Sequence, residues 1–475
     1  MGKGLSCPAP REETEVAQLE TALKHIDAQL GACTDALREW VRIPSISAGA
    51  QEDCRGALAL AADFALAQCE GLGLRADKVQ VSADTNPLVV ARPPVFAPRK
   101  PTVLVYGHYD VQGVDNPRSA WTCDPFGAEE KDGYLLGRGA SDNKGPCLAH
   151  LRAARALAAT GELPVNLVFL IEGEEECGSR ALSQYLAGGG LEEFGPLRCA
   201  LISDTSMYGP DRPSLTLGLR GILFFQMTVR GPRQDVHSGL FGGIIHNPNQ
   251  LLARALASLH DAEGRVRVPG FYDQVRPLSR REKALYDALE VDEEAYCRNL
   301  GVKGLVGEPG YSVLERRWAR PTLEINHLSG GSPRTVIPAQ ARAVISCRLV
   351  PDQDPERIEE ALQQHLRAQL PPGIEVEFGN THSSPAYHLD PDHPLVPLAL
   401  GAIRTGFGLE PLLTREGGSI PIVTDLHRRS GAPVLLVGLG QITDNWHGPD
   451  EHFSLRDFHR GMRTSAALLC ALGAG

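Results

Sequence analysis

The chain has 475 residues, 42% hydrophobic and 22% charged, the balance of an ordinary globular protein with room for two or three domains. Its formal net charge is −11 and it has no clustered run of Lys and Arg, which excludes nucleic acid or an anionic membrane surface as the expected partner. Eleven scattered cysteines without a Cys-x-x-Cys pair, no stretch of the ~18–20 apolar residues a membrane span needs, and a start (MGKGLSCPAPREETEVAQLE) without an apolar leader point to reduced thiols and a cytoplasmic setting. Gly2 and Ser6 match a myristoylation pattern too short to count as a signal.

Residues 12–40 are expected to form a helix, because Leu19, Leu23, Ile26 and Leu30 recur at spacings of three and four; Ile43 before Pro44 ends it. RGALALAADFALAQCEGLGL reads as a second helix closed by Gly71 and Gly73. Short apolar runs follow at TVLVYGHYD (102–110), NLVFLIEGEEE (166–176), CALISDT (199–205) and PVLLVGLG (433–440). Helical stretches such as KGPCLAHLRAARALAAT (144–160) intervene, so the class is α/β with a mainly parallel sheet covered on both faces. Residues 215–390 read differently. There ILFFQMTVRG, TLEINHLSG, ARAVISCRLVP and GIEVEFGN alternate as strands, with NPNQLLARALASLH and DPERIEEALQQHLRAQL as helices. This is an α+β insertion that divides the first domain into 1–214 and 391–475.

Three consecutive glutamates, Glu174, Glu175 and Glu176, stand just past a buried strand, where charge without a counter-ion is costly. In open α/β sheets ligands bind outside the carboxyl ends of the strands. The first apolar run ends in His108 and Asp110, the second in the glutamates and the third in Asp204. The last leads to NWHGPDEH with His447, and Asp142 sits in LLGRGASDNKGP just before a helix. Imidazole and carboxylate donors without thiolates suit zinc, with manganese or cobalt as alternatives. Two histidines and three carboxylates exceed one tetrahedral site and suffice for two ions if one carboxylate bridges. Cys177 reads as a small packing residue. The glycine-rich GRGASDNKG lacks both the G-K-[ST] ending and the G-x-G-x-x-G spacing of nucleotide loops.

Taken in order, GHYDVQ, GRGASDNKGP, EGEEECGS, SDT, DVHSGLFGG, REGGSIP and the late His447 resemble the dinuclear zinc metallopeptidases of the aminoacylase, carboxypeptidase G and carnosinase group. DVHSGLFGG, TVIP, SCRLVP and LTREGGSIP resemble its carnosinase-like dipeptidase branch. The resemblance implies a catalytic domain interrupted by a ferredoxin-like lid and dimerisation domain. It implies that His108, Asp142 and Asp204 hold one zinc, that Asp142, Glu176 and His447 hold the other, and that Asp142–Asn143 is a cis peptide. Asp110 would fix the His108 tautomer, Glu175 would be the general base, and Glu174 a bystander. His237 would stabilise the oxyanion from a partner subunit of a homodimer. Arg348 would clamp the substrate carboxylate, with Thr335, His382 and Ser419 beside it, and Glu416 would receive a substrate ammonium. The implied activity is hydrolysis of dipeptides. The alternatives are deacylation of N-acyl amino acids, against which Glu416 argues, and a non-catalytic binding protein that keeps the fold.

Overall fold

The computed structural model describes residues 10–47, 54–115 and 117–474, with side chains from residue 16 onward, so the Gly2 pattern lies outside it. The chain divides into two compact units: Met1–Leu217, Leu389–Thr414 and Asp425–Gly475 form the first, Gly218–His388 and Arg415–Thr424 the second.

The first unit is built on strands β1 (Arg75–Val79), β2 (Leu88–Arg92), β3 (Thr102–His108), β4 (Asn166–Glu172), β5 (Leu197–Ile202), β6 (Ser214–Leu219) and β7 (Val434–Val437). Their spatial order is β1-β2-β4-β3-β5-β7-β6. The four middle strands pair in parallel. They are the four apolar runs of the sequence, and every residue of β3 and β4 is buried, as a sheet covered on both faces requires. The flanks differ from a purely parallel sheet: β1/β2, β2/β4 and β7/β6 are antiparallel, so the sheet is mixed. The charged, partly exposed RADKV of β1 gave no apolar run to read.

Helices Pro10–Ala28, Gly145–Thr160, Leu395–Phe407 and Leu455–Gly473 pack on one another. The expected single helix over 12–40 is two, Pro10–Ala28 and Leu30–Val41, broken at Gln29, where the backbone leaves helical geometry at φ −101° and ψ 7°.

Two glycines are fixed by close approach. A Cβ on Gly107 would lie 2.9 Å from Cys147 Sγ and 3.1 Å from Asn143 Oδ1, so this glycine lets the segment after Asp142 close on the end of β3. A Cβ on Gly173 would overlap the Tyr109 ring.

The second unit holds a four-stranded antiparallel sheet in the order Thr322–Gly330, Gln340–Leu349, Gly221–Arg230, Val376–Ser384. With helices Pro248–Ala257 and Pro355–Ala368 between strands, this is the β-α-β-β-α-β order of a ferredoxin-like layer. Leu223, Phe225, Met227 and Val229 alternate onto one face, packed with Leu251, Leu252, Ile358 and Leu362 of the two helices. Among the described residues no helix is long and apolar enough to cross a membrane, and the cysteines are free.

Candidate metal centre

Because β4, β3, β5 and β7 run the same way, their carboxyl ends fall along one edge of the first unit. His108 closes β3, the Glu174–Gly178 turn follows β4, and Asp204 follows β5. His108 Nε2 lies 3.1 Å from Asp142 Oδ1 and 3.7 Å from Asp204 Oδ1. His447 Nε2, in the loop after β7, lies 3.0 Å from Asp142 Oδ2 and 3.2 Å from Glu176 Oε2. The result is two groups, His108–Asp142–Asp204 and Asp142–Glu176–His447, each with its donor atoms within 4.8 Å of one another. They share Asp142, one oxygen turned to each. The Asp142–Asn143 peptide is cis.

The proton affinities of the cluster follow from burial and from the charges that face one another in it. Burial disfavours charge on His108, but its hydrogen bonds with Asp110, Asp142 and Asp204 outweigh this and raise its proton affinity well above the ordinary range. Asp142, opposed by burial, is held below the usual carboxylate range by His108 and His447. Asp142 and then Glu176 pull His447 up to about 10. Burial first, then Asp142, pushes Glu176 up to about 7. Nitrogen and oxygen donors at these spacings fit divalent zinc or manganese.

Asp110 does more than orient a tautomer. His108 Nδ1 lies 3.0 Å from the Asp110 main-chain oxygen and 3.4 Å from its carboxylate. That carboxylate accepts the backbone N–H groups of Glu175, at 3.2 Å, and Glu176, at 3.1 Å, and the Ser47 hydroxyl. It thereby seats the glutamate turn. Glu174, outside both groups, has a structural contact of its own: its two oxygens accept from Asn86 N at 2.7 Å and Ala181 N at 2.8 Å, so it ties the turn to the first residues of the helix Arg180–Ala187. Cys177, expected to pack inside, is exposed; what burial it has is enough to push its thiol up to about 11.

Sequence reasoning missed the residues that hold the two groups in place. Gln112 Nε2 donates to Glu176 Oε2 at 2.9 Å, and Asn143 Nδ2 to Asp204 Oδ1 at 2.8 Å. Fully buried Glu451 clamps the Asp142 loop. It accepts from Arg138 Nη1 at 2.7 Å and from the N–H groups of Gly139, Ser141 and Asp142 at 3.0 Å. A buried ion pair that loses one partner leaves an uncompensated charge, so Glu451→Ala is expected to lower stability by about 3–5 kcal/mol in chemical denaturation.

The remaining candidates lie in the second unit. His237 and Thr335 come together: His237 pairs with Val336 across a short ladder, and Ser238 N donates to Thr335 O at 3.0 Å. His237 is exposed, and its Nδ1 accepts Gly239 N–H at 3.0 Å. Arg348 and Ser419 also meet, Arg348 Nη1 donating to Ser419 Oγ at 2.9 Å. Glu416 ends the strand Leu412–Glu416 three residues before that serine. His382 stands opposite Phe224 in the sheet, on the face it shares with Arg348, opposite Ile222, and away from the two helices.

Comparison with known proteins gives this arrangement a family. The chain is 33% identical to the Beta-Ala-His dipeptidase of Rattus norvegicus over 96% of this chain and 95% of that one. It is 32% identical to the Cys-Gly metallodipeptidase dug1 of Schizosaccharomyces pombe over 94% and 96%. The solved structure of the dipeptidase Dug1p of Saccharomyces cerevisiae superposes with a TM-score of 0.81 at 32% identity, covering 96% of this chain and 99% of that one. The model of peptidase family M20/M25/M40 matches residues 104–471, from within β3 nearly to the end of the last helix, and the chain belongs to that family of hydrolases.

Proposed function

We propose that this protein hydrolyses the peptide bond of dipeptides bearing a free amino terminus and a free carboxylate, using two divalent cations, zinc foremost, with manganese or cobalt as alternatives. The observation that carries the reading is Asp142, whose two carboxylate oxygens each face one histidine-containing group. Relatives named for β-Ala-His and Cys-Gly cleavage support dipeptides as the substrate class.

His108, Asp142 and Asp204 hold one cation in this proposal, and Asp142, Glu176 and His447 the other. When bound, the cations supply Lewis acidity toward water and the amide carbonyl. Glu175 accepts a proton at its carboxylate and returns it to the leaving nitrogen. Burial above all raises its proton affinity well above the carboxylate range, with Asp204, Glu176 and Asp142 adding and His108 opposing. Asp110, through the two N–H groups it accepts, keeps the Glu175 and Glu176 side chains on their separate tasks.

Arg348 holds the substrate carboxylate, its planar fork suited to bidentate binding, with Thr335, His382 and Ser419 as its companions. Glu416 receives the ammonium. In a cytoplasmic homodimer formed through the inserted unit, His237 serves the partner subunit. Its Nδ1 is already an acceptor, so the neutral ring carries its proton on Nε2, the tautomer that donates to a developing oxyanion. His237→Ala is expected to lower kcat by about 10²–10³-fold, the usual loss for one oxyanion donor. Mixing it with a Glu175→Gln chain checks the assignment: mixed dimers recover one intact site only if His237 acts across the interface.

The deciding experiment compares initial rates on a free dipeptide, its N-acetylated form and its C-terminal amide, with cation added back to chelated protein. Fastest cleavage of the free dipeptide is expected. Faster cleavage of the acetylated compound assigns the protein to deacylation instead and removes Glu416 as the partner of a substrate ammonium.

A further inference from the structure

The segment Arg415–Thr424 joins the second unit from a distant part of the chain and carries Glu416 and Ser419. Arg220 holds it in place. Its N–H donates to Gly418 O at 3.1 Å, its Nε to Gly417 O at 2.9 Å, and its carbonyl accepts from Ser419 Oγ. Arg220 Nη1 reaches Arg320 O at 3.3 Å. Ser419 Oγ in turn accepts Arg348 Nη1 at 2.9 Å, so the Arg220 main-chain carbonyl, the hydroxyl and the Arg348 guanidinium form one chain, while the Arg220 guanidinium holds the turn at Gly417 O. The turn has little freedom: a Cβ on Gly417 would lie 3.0 Å from Arg317 O and 3.1 Å from Arg220 Nη2.

Both guanidiniums are partly buried. Among the described residues their hydrogen bonds go to carbonyls and hydroxyls, none to a carboxylate. Burial first, and then Arg348 and Arg317, pulls Arg220 down to about 10. Glu324 opposes this shift without reversing it; two like charges held half out of water are unfavourable, and an arriving anion offsets that cost.

We propose that Arg220 is a positioning residue for carboxylate recognition: it fixes the Gly417–Ser419 turn, and through the Ser419 hydroxyl it aims Arg348 at the substrate carboxylate. The inference rests on the reading of Arg348 as the carboxylate clamp of a dipeptidase. It adds that the Arg220 guanidinium seats the turn whose hydroxyl positions Arg348.

Arg220→Met and Arg220→Lys, each with and without Ser419→Ala, are compared with wild type on a dipeptide and on its C-terminal amide. Arg220→Met is expected to raise KM for the dipeptide about 10-fold while kcat stays within about 3-fold and KM for the amide does not move. Arg220→Lys recovers most of the loss, since an ammonium can still donate to Gly417 O, and it carries the comparison if the Met variant does not fold. In the Ser419→Ala background the Arg220 effect shrinks, as expected for two members of one relay. With wild-type turnover present, equal losses on dipeptide and amide, or full additivity with Ser419→Ala, overturn the proposal. A wild type that cleaves no dipeptide overturns the underlying reading, and the inference with it.

Discussion

Glu175→Gln is expected to lower kcat by about 10²–10⁴-fold, the range a positioned general base contributes, with KM little changed. The substitution keeps size and removes the proton-accepting charge. It leaves the backbone N–H bond to Asp110 intact, so the turn carrying Glu176 stays seated. Metal analysis of the variant is therefore expected to match wild type. Undiminished turnover would remove Glu175 from the chemistry. Loss of metal together with turnover would show that Glu175 is a ligand rather than a base.

Asp142→Asn has the larger structural reach. Asp142 is the shared member of both groups, and its two oxygens are the nearest acceptors to His108 Nε2 and His447 Nε2. With one neutral amide in its place, each group loses an anionic donor at once. We expect both ions to be lost by mass spectrometry and turnover to fall to background. A second readout needs no metal: in chelated protein, His447, pulled up to about 10 first by Asp142, is expected to titrate at lower pH, measurable by NMR of the ring protons. Retention of one tightly held ion would show that the two groups do not depend on a common carboxylate.

The sequence was most legible where function and fold share a signal. Four apolar runs are parallel strands whose ends lead to polar residues, so His108, Glu176, Asp204 and His447, with Asp142 from the loop before a helix, could be named as candidates before any coordinate, and the fold brings their donor atoms together. The expected ferredoxin-like insertion was readable for a similar reason, since period-two alternation marks a sheet with one covered face. What escaped were side chains that act on backbone amides far along the chain. Glu451 gathers the N–H groups of Gly139, Ser141 and Asp142, and Glu174 those of Asn86 and Ala181. Such bonds leave no periodicity, and a buried carboxylate that holds a loop is the same letter as one on the surface. The further bonds of the Asp110 carboxylate to the Glu175–Glu176 turn escaped for a related reason, since no spacing rule connects them. The antiparallel flanks were invisible because RADKV looks like loop.

Glu451 and His447 share a late stretch of sequence, separated from Asp204 by the entire inserted unit. During synthesis, the donors His108, Asp142 and Asp204 leave the ribosome long before the partners that finish the neighbouring position. If two cations bind as proposed, a chain broken off ahead of Trp446 is expected to retain at most one, because it lacks His447. Cation stoichiometry becomes a quality mark for intact polypeptide, and a purified fragment carrying two ions would contradict it.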